Sequence, residues 1–236
     1  MKEHSHSPAE ISARIASPNS PGYLRDSVYG AIDGCVTTFA IVAGVAGAGL
    51  SPRIIIALGL ANVLADGFSM AAANYSGIKA EADNMARLRM IEERHIREDP
   101  EGERQELREI LRMKGLSGEV LEAATDAISA DKGKWIELML VDEYGLSPTL
   151  PRPFRAALAT FAAFLAAGLV PLIPFILALE NAFTPAIGLT AVVFFSIGAL
   201  KSYWSLAPWW RSGLETLAIG GVAAAIAFGV GSMFHA

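Results

Sequence analysis

Five stretches of this chain, roughly 28–50, 54–78, 154–179, 183–204 and 212–234, run for twenty residues or more with few charges. At about 1.5 Å of rise per residue, each is long enough to cross about 30 Å of hydrocarbon as a helix. Between the second and third stretches the character reverses. Of the 24 acids, 17 fall between Glu81 and Glu143, and of the 19 lysines and arginines, 13 fall between Lys79 and Arg155. With 53% hydrophobic residues and a mean hydropathy of +0.39, the chain reads as an all-α polytopic membrane protein. Five transmembrane helices are expected, with a helical cytosolic domain inserted between spans 2 and 3. The expected division is a flexible N-terminal tail over 1–24, spans 1 and 2 over 25–79, the insert over 80–150, and spans 3 to 5 over 151–236.

Lysine and arginine set the expected orientation. The tail carries Lys2, Arg14 and Arg25, the first hairpin only Arg53, and the insert most of the rest. The 180–183 loop carries none, whereas the 201–211 loop carries Lys201 and Arg211. This alternation puts the N-terminus and the insert in the cytosol and the C-terminus outside. A net charge of −5 leaves no basic stripe for nucleic acid. The single cysteine, Cys35, excludes an intrachain disulfide. His4 and His6 could touch metal but fit a solvated tail as well. Neither GxGxxG, P-loop, GxSxG nor HExxH occurs in a fitting context. The GxxxG spacing of Gly30 and Gly34 is too common in membrane helices to discriminate. Pro171 and Pro174 predict a kink in the third span.

Two spans carry a carboxylate, Asp33 and Asp66, and the second adds Met70. An ionised group in hydrocarbon costs several kcal/mol unless it is paired or faces water. Counted from the cytosolic edge, Asp33 lies about 8 Å deep and Met70 about 12 Å deep, with Asp66 one turn deeper, near the midplane. Asp33 and Met70 can therefore sit at similar depths on neighbouring antiparallel helices. A carboxylate beside a thioether suits a borderline divalent transition metal better than Ca²⁺ or Mg²⁺. A gap-filling methionine and a structurally hydrogen-bonded acid are the alternatives. Asp66 is left between two roles, proton handling and a hydrogen bond that fixes the helices.

The insert predicts three or four amphipathic helices. Asp99-Pro100 marks a helix start, Gly115 and Gly145 mark helix ends, and Ser117 is placed to cap a further helix. Glu81, Met85, Leu88, Glu92, His95 and Asp99 share one helical stripe, and Glu103, Glu106, Ile110 and Met113 share a second. Met139 and Glu143 stand one turn apart on a third helix. These stripes can converge on a carboxylate-rich cluster with one histidine and one methionine, or form a solvated face laced by ion pairs.

The segments "DGCVTTFAIVAGVAGAGLS", "GLANVLADGFSMAAANYSGIKAE" and "PEGERQELREIL…KGLS" together resemble the vacuolar iron transporter family, over about residues 25–236. The resemblance implies a homodimer of five-span subunits that moves Fe²⁺, and often Mn²⁺, out of the cytosol in exchange for protons. It implies that Asp33 and Met70 line a pathway at the dimer interface. It also implies that Glu92, Glu103, Glu106, Met139 and Glu143 belong to a cytosolic metal-binding domain, with His95 standing where the family usually has glutamate. A second departure is Ala73-Asn74, where the family commonly has glycine followed by an acid. The expected ions are cargo, with Co²⁺ and Zn²⁺ as further candidates, and no resident cofactor or enzyme activity is expected. The expected location is the bacterial inner membrane, in the absence of a long sorting region, with the vacuolar membrane as the alternative. Two rivals stand beside transport. One is a membrane-anchored iron buffer or sensor. The other is a ferritin-type oxidase, for which only one Glu-x-x-His spacing, Glu92–His95, is present.

Overall fold

The computed structural model describes residues 7–16, 22–204 and 206–234, with the side chain of Trp204 set aside. Among the described residues the chain is helical and contains no strand. Two compact units divide it, one taking residues 22–76 and 152–236 and the other residues 77–151 with the N-terminal stretch. Helix α1 (Pro8–Ala16) falls within the stretch expected to be a flexible tail and has no buried residue. Its Ser7 Oγ accepts from Glu10 N, a local cap that needs no tertiary partner. His4 and His6 lie outside the described residues.

The larger unit contains α2 (Leu24–Gly47), the first half of α3 (Pro52–Glu98), α7 (Pro153–Gly168), α8 (Ile173–Ile176), α9 (Phe183–Lys201) and α10 (Trp209–Ser232). Among the described residues, five helical segments are long and apolar enough to cross a membrane, with α7 and α8 together making the third. Each span keeps its backbone hydrogen bonds within itself, as hydrocarbon requires. The core is built on Phe39, Val42, Val45, Ile55, Val63, Leu172, Phe175 and Ala186. The α2–α7 contact is backbone on backbone. A Cβ at Gly30 would overlap the carbonyl of Thr160, and one at Gly34 the carbonyl of Phe164. The Gly30–Gly34 spacing therefore does carry a helix contact here, bringing the α2 backbone directly onto α7. The third span breaks as expected: α7 stops at Gly168, a 3₁₀ turn covers Val170–Leu172, and α8 follows. Pro171 and Pro174 supply no N–H to continue the ladder. Exposed Tyr203, Trp209 and Trp210 cluster at the α9–α10 connection, where an interfacial aromatic belt is expected.

The smaller unit holds the second half of α3, α4 (Pro100–Met113), α5 (Gly118–Ser129) and α6 (Lys132–Asp142). Sequence reading ends a span near 78 and opens the insert at 80, but α3 runs through both as one helix of 47 residues. Nothing in "YSGIKAEADN" breaks it, since no proline occurs there and Lys79 pairs with Asp83 one turn on, at 3.0 Å. Asp99 stops it. Its side chain accepts from Gly102 N at 3.0 Å, and Pro100 opens α4. Gly115 (φ 96°) and Gly145 (φ 65°) take the left-handed conformation expected at helix ends, and Leu146 N closes onto Leu140 O at 3.0 Å. Ser117 occupies the cap position of α5, yet its hydroxyl makes no capping bond. The core of this unit is Leu107, Leu111, Leu121, Trp135 and Met139. Pairs Arg104–Asp126, Arg108–Glu122 and Lys114–Asp142 tie α4 to its neighbours on the opposite, solvated side.

Candidate functional site

Two groups of polar side chains stand out, one in each unit. In the smaller unit, α3 supplies Glu92 and His95, α4 supplies Glu103 and Glu106, and the end of α6 supplies Glu143 and Tyr144. Glu92 is fully buried and Glu103 nearly so, at 5% exposure. His95 Nδ1 lies 3.1 Å from Glu103 Oε1 and 4.0 Å from Glu92 Oε1. Tyr144 Oη donates to Glu92 Oε1 at 2.8 Å. Glu92 and Glu103 lie within hydrogen-bonding reach of each other. Glu92 Oε2 and Glu103 Oε2 are buried with no hydrogen-bond partner among the described residues. Two such oxygens are satisfied by a shared proton or by a cation.

The electrostatics follow from that crowding. Burial, and then the charges of Glu92 and Glu106, push the Glu103 carboxyl up to about 8. Burial and the same two neighbours also raise Glu143. Tyr144 is raised by burial and by its bond to Glu92, so it stays a phenol donor. Without a cation the cluster holds a proton near neutral pH. Among the described residues, no three His, Cys, Asp or Glu side chains are arranged to hold a metal ion together.

The sequence-predicted members divide. Glu92, His95 and Glu103 meet directly. Glu106 and Glu143 are exposed and act on Glu103 through charge. Met139 is fully buried in the apolar core beside Trp135 and Leu107. Glu81 and Asp99, the ends of the first stripe, are exposed, and Asp99 serves as a cap. Tyr144 was missed. Its signal was its place after Glu143, where the Gly145 turn aims whatever precedes it.

In the larger unit, α3 carries a polar or soft residue at every fourth position, Asn62, Asp66, Met70 and Asn74, all half-buried. This row forms a seam against α2. Asn62 Nδ2 donates to Thr37 Oγ1 at 3.1 Å, and the Thr37 hydroxyl donates to the Asp33 carbonyl at 2.9 Å. Asn74 Nδ2 donates to Asp26 Oδ1 at 2.8 Å and to Thr160 Oγ1 at 2.9 Å, so one amide bridges α2, α3 and α7. These two ties fix the antiparallel register, with residue 37 opposite 62 and residue 26 opposite 74. Asp33 is therefore level with Asp66, whose charge it feels, and Met70 lies about one turn nearer the start of α2. The depth count from assumed membrane edges put Met70 and Asp33 at similar depths; the hydrogen-bond register sets Met70 near Gly30, about one turn from Asp33. The Asp66 carboxylate makes no hydrogen bond among the described residues, so the side-chain bonds fixing the helices fall on the two asparagines. Asp26, buried at 8% exposure, was also missed. Its signal was a seven-residue spacing from Asp33, which returns to the same helix face.

Residues 24–232 match the VIT family. The chain is 34% identical over 210 residues to "Vacuolar iron transporter 1" of Eucalyptus grandis, a match covering 88% of this chain and 84% of that protein. It is 31% identical over 210 residues to the protein of the same name from Oryza sativa subsp. japonica, with 88% and 83% covered. It is 33% identical over 228 residues to "Vacuolar iron transporter" of Toxoplasma gondii, with 92% and 76% covered.

Proposed function

This chain belongs to the VIT family, and on that premise we propose that it is a proton-coupled transporter carrying Fe²⁺, and with it Mn²⁺, out of the cytosol. It is a multi-pass membrane protein, and it acts on an ion gradient rather than as an enzyme. The smaller unit, cytosolic by the lysine and arginine alternation, captures the ion through Glu92, His95, Glu103, Glu106 and Glu143, with Met139 beneath them. The intramembrane route runs along the α2–α3 seam through Asp33, Asp66 and Met70, at the interface of a homodimer. Asp66 handles the proton. Relatives named vacuolar transporters support export into a compartment; in a bacterial cell the same polarity carries the ion across the inner membrane.

The observation that carries this reading is the α3 row Asn62, Asp66, Met70 and Asn74 running along α2, with Asp66 level with Asp33 at span depth. A helix that merely anchors a buffer has no use for carboxylates there. Purified protein reconstituted into vesicles, given Fe²⁺, Mn²⁺, Co²⁺ and Zn²⁺ under an imposed pH gradient, is expected to move Fe²⁺ and Mn²⁺ with counterflow of protons. Ion binding without flux would make it the membrane-anchored buffer. Flux indifferent to the pH gradient would remove proton coupling.

A further inference from the structure

We propose that Tyr144 is a positioning residue of the capture site, its phenol holding the Glu92 carboxylate so that Oε2 is presented to the arriving divalent cation. This rests on the reading of the acidic cluster as an ion-capture site. The geometry is specific. Tyr144 Oη donates to Glu92 Oε1 at 2.8 Å across 52 positions of sequence. The other oxygen, Oε2, is buried with no hydrogen-bond partner among the described residues, as is the Oε2 of Glu103. One carboxylate oxygen is thus anchored and the other left open, which is how a partner outside the metal shell orients a ligand. The anchor is rigid because of the backbone that carries it. Gly145 is left-handed and Leu146 N closes onto Leu140 O at 3.0 Å, so the turn after α6 fixes where the ring can go. Tyr144 does this work from outside the donor set expected of the cluster, which comprises carboxylates, one imidazole and one thioether.

The test is a double-mutant cycle on the full-length protein in detergent micelles, titrated with Co²⁺ by calorimetry and by visible absorption. The four proteins are the wild type, Tyr144→Phe, Glu92→Gln, and the double variant. Tyr144→Phe keeps the ring and removes only the hydroxyl. It is expected to weaken Co²⁺ binding about 10–100-fold and to alter the absorption of the bound ion. In the Glu92→Gln background the same change is expected to cost nothing further, because the phenol acts through that carboxylate. Unaltered binding by Tyr144→Phe overturns the proposal and leaves the capture reading standing. An equal loss in both backgrounds, or a fall in helical content of Tyr144→Phe, overturns it too, since the phenol would then support the fold. A wild type that does not bind overturns the capture reading itself.

Discussion

Glu103 sits in a crowd of its own kind, and that fixes how its unit responds to pH. Its carboxyl, raised to about 8 by burial and by Glu92 and Glu106, binds its proton more tightly folded than unfolded. Stability from this group is therefore full at pH below about 4.5, the ordinary value, and is lost as pH rises through about 8. Metal-free protein is expected to melt at progressively lower temperature over that window, and Glu103→Gln to flatten the trend. A wild-type melting temperature that rises from pH 5 to pH 8 would contradict the assignment. Cation binding displaces the proton, so affinity is expected to climb over the same range. At span depth, Asp33→Ala is expected to abolish flux while leaving the fold intact, since it removes a half-buried charge and little packing. Met70→Leu keeps the volume and removes the sulfur; slower Fe²⁺ flux identifies a ligand, and unchanged flux identifies packing. Spacing along a helix revealed Glu92, His95 and Glu103, because helical faces are written in sequence. For Tyr144 and Asp26 the sequence offered only a position, after Glu143 for one and seven residues before Asp33 for the other. Each owes its role to a partner far along the chain, Glu92 for one and Asn74 for the other, and no local pattern announces such a meeting.

Among the elements, local chemistry was legible wherever a residue forbids or demands a backbone state. Asp99-Pro100, Gly115, Gly145 and the proline pair 171/174 all ended or started helices as their stereochemistry requires. The continuity of α3 was not legible, because a change from apolar to polar composition alters a helix's surroundings and leaves its backbone ladder alone. Ser117 shows the converse, a residue of the right type whose hydroxyl goes unused. The glycines of α2 act as elements rather than residues. Gly34→Ala is expected to lower the thermal stability of the bundle, because its Cβ would meet the Phe164 carbonyl, whereas Gly221→Ala, with nothing within 4 Å, is the matched control. Equal melting of the two variants would refute the close contact. Asn74→Leu strips the amide from buried Asp26 and should cost about 1–3 kcal/mol, the usual penalty for a buried acceptor left without its donor. A thermal melt of that variant matching the wild type would show that water replaces the amide.

For the molecule as a whole, composition alone separated an apolar bundle from a charged insert, because hydrocarbon and water select opposite residues. One face of the bundle bears on subunit association. Leu64 and Phe68 of α3 are 58% and 69% exposed, on the helix that also carries the seam. If that face meets its copy, Phe68→Cys should form a disulfide-linked dimer under mild oxidation in the membrane, while Ile226→Cys on α10 should not. The reverse pattern would move the interface elsewhere.

The helices around the seam are held by unlike means. Between α2 and α7, carbonyls rest where side chains would otherwise be, and steric overlap cannot be traded for anything else. Between α3 and its neighbours the ties are amide hydrogen bonds, from Asn62 to Thr37 and from Asn74 to Asp26 of α2 and to Thr160 of α7. A water molecule or a passing cation can take the place of such a bond. In mechanical terms α2 and α7 form a stator, and α3 is the part mounted on bearings. On the proposed route, an ion entering the seam would compete for the oxygens that hold α3 in place and so loosen the fastening that stood in its way.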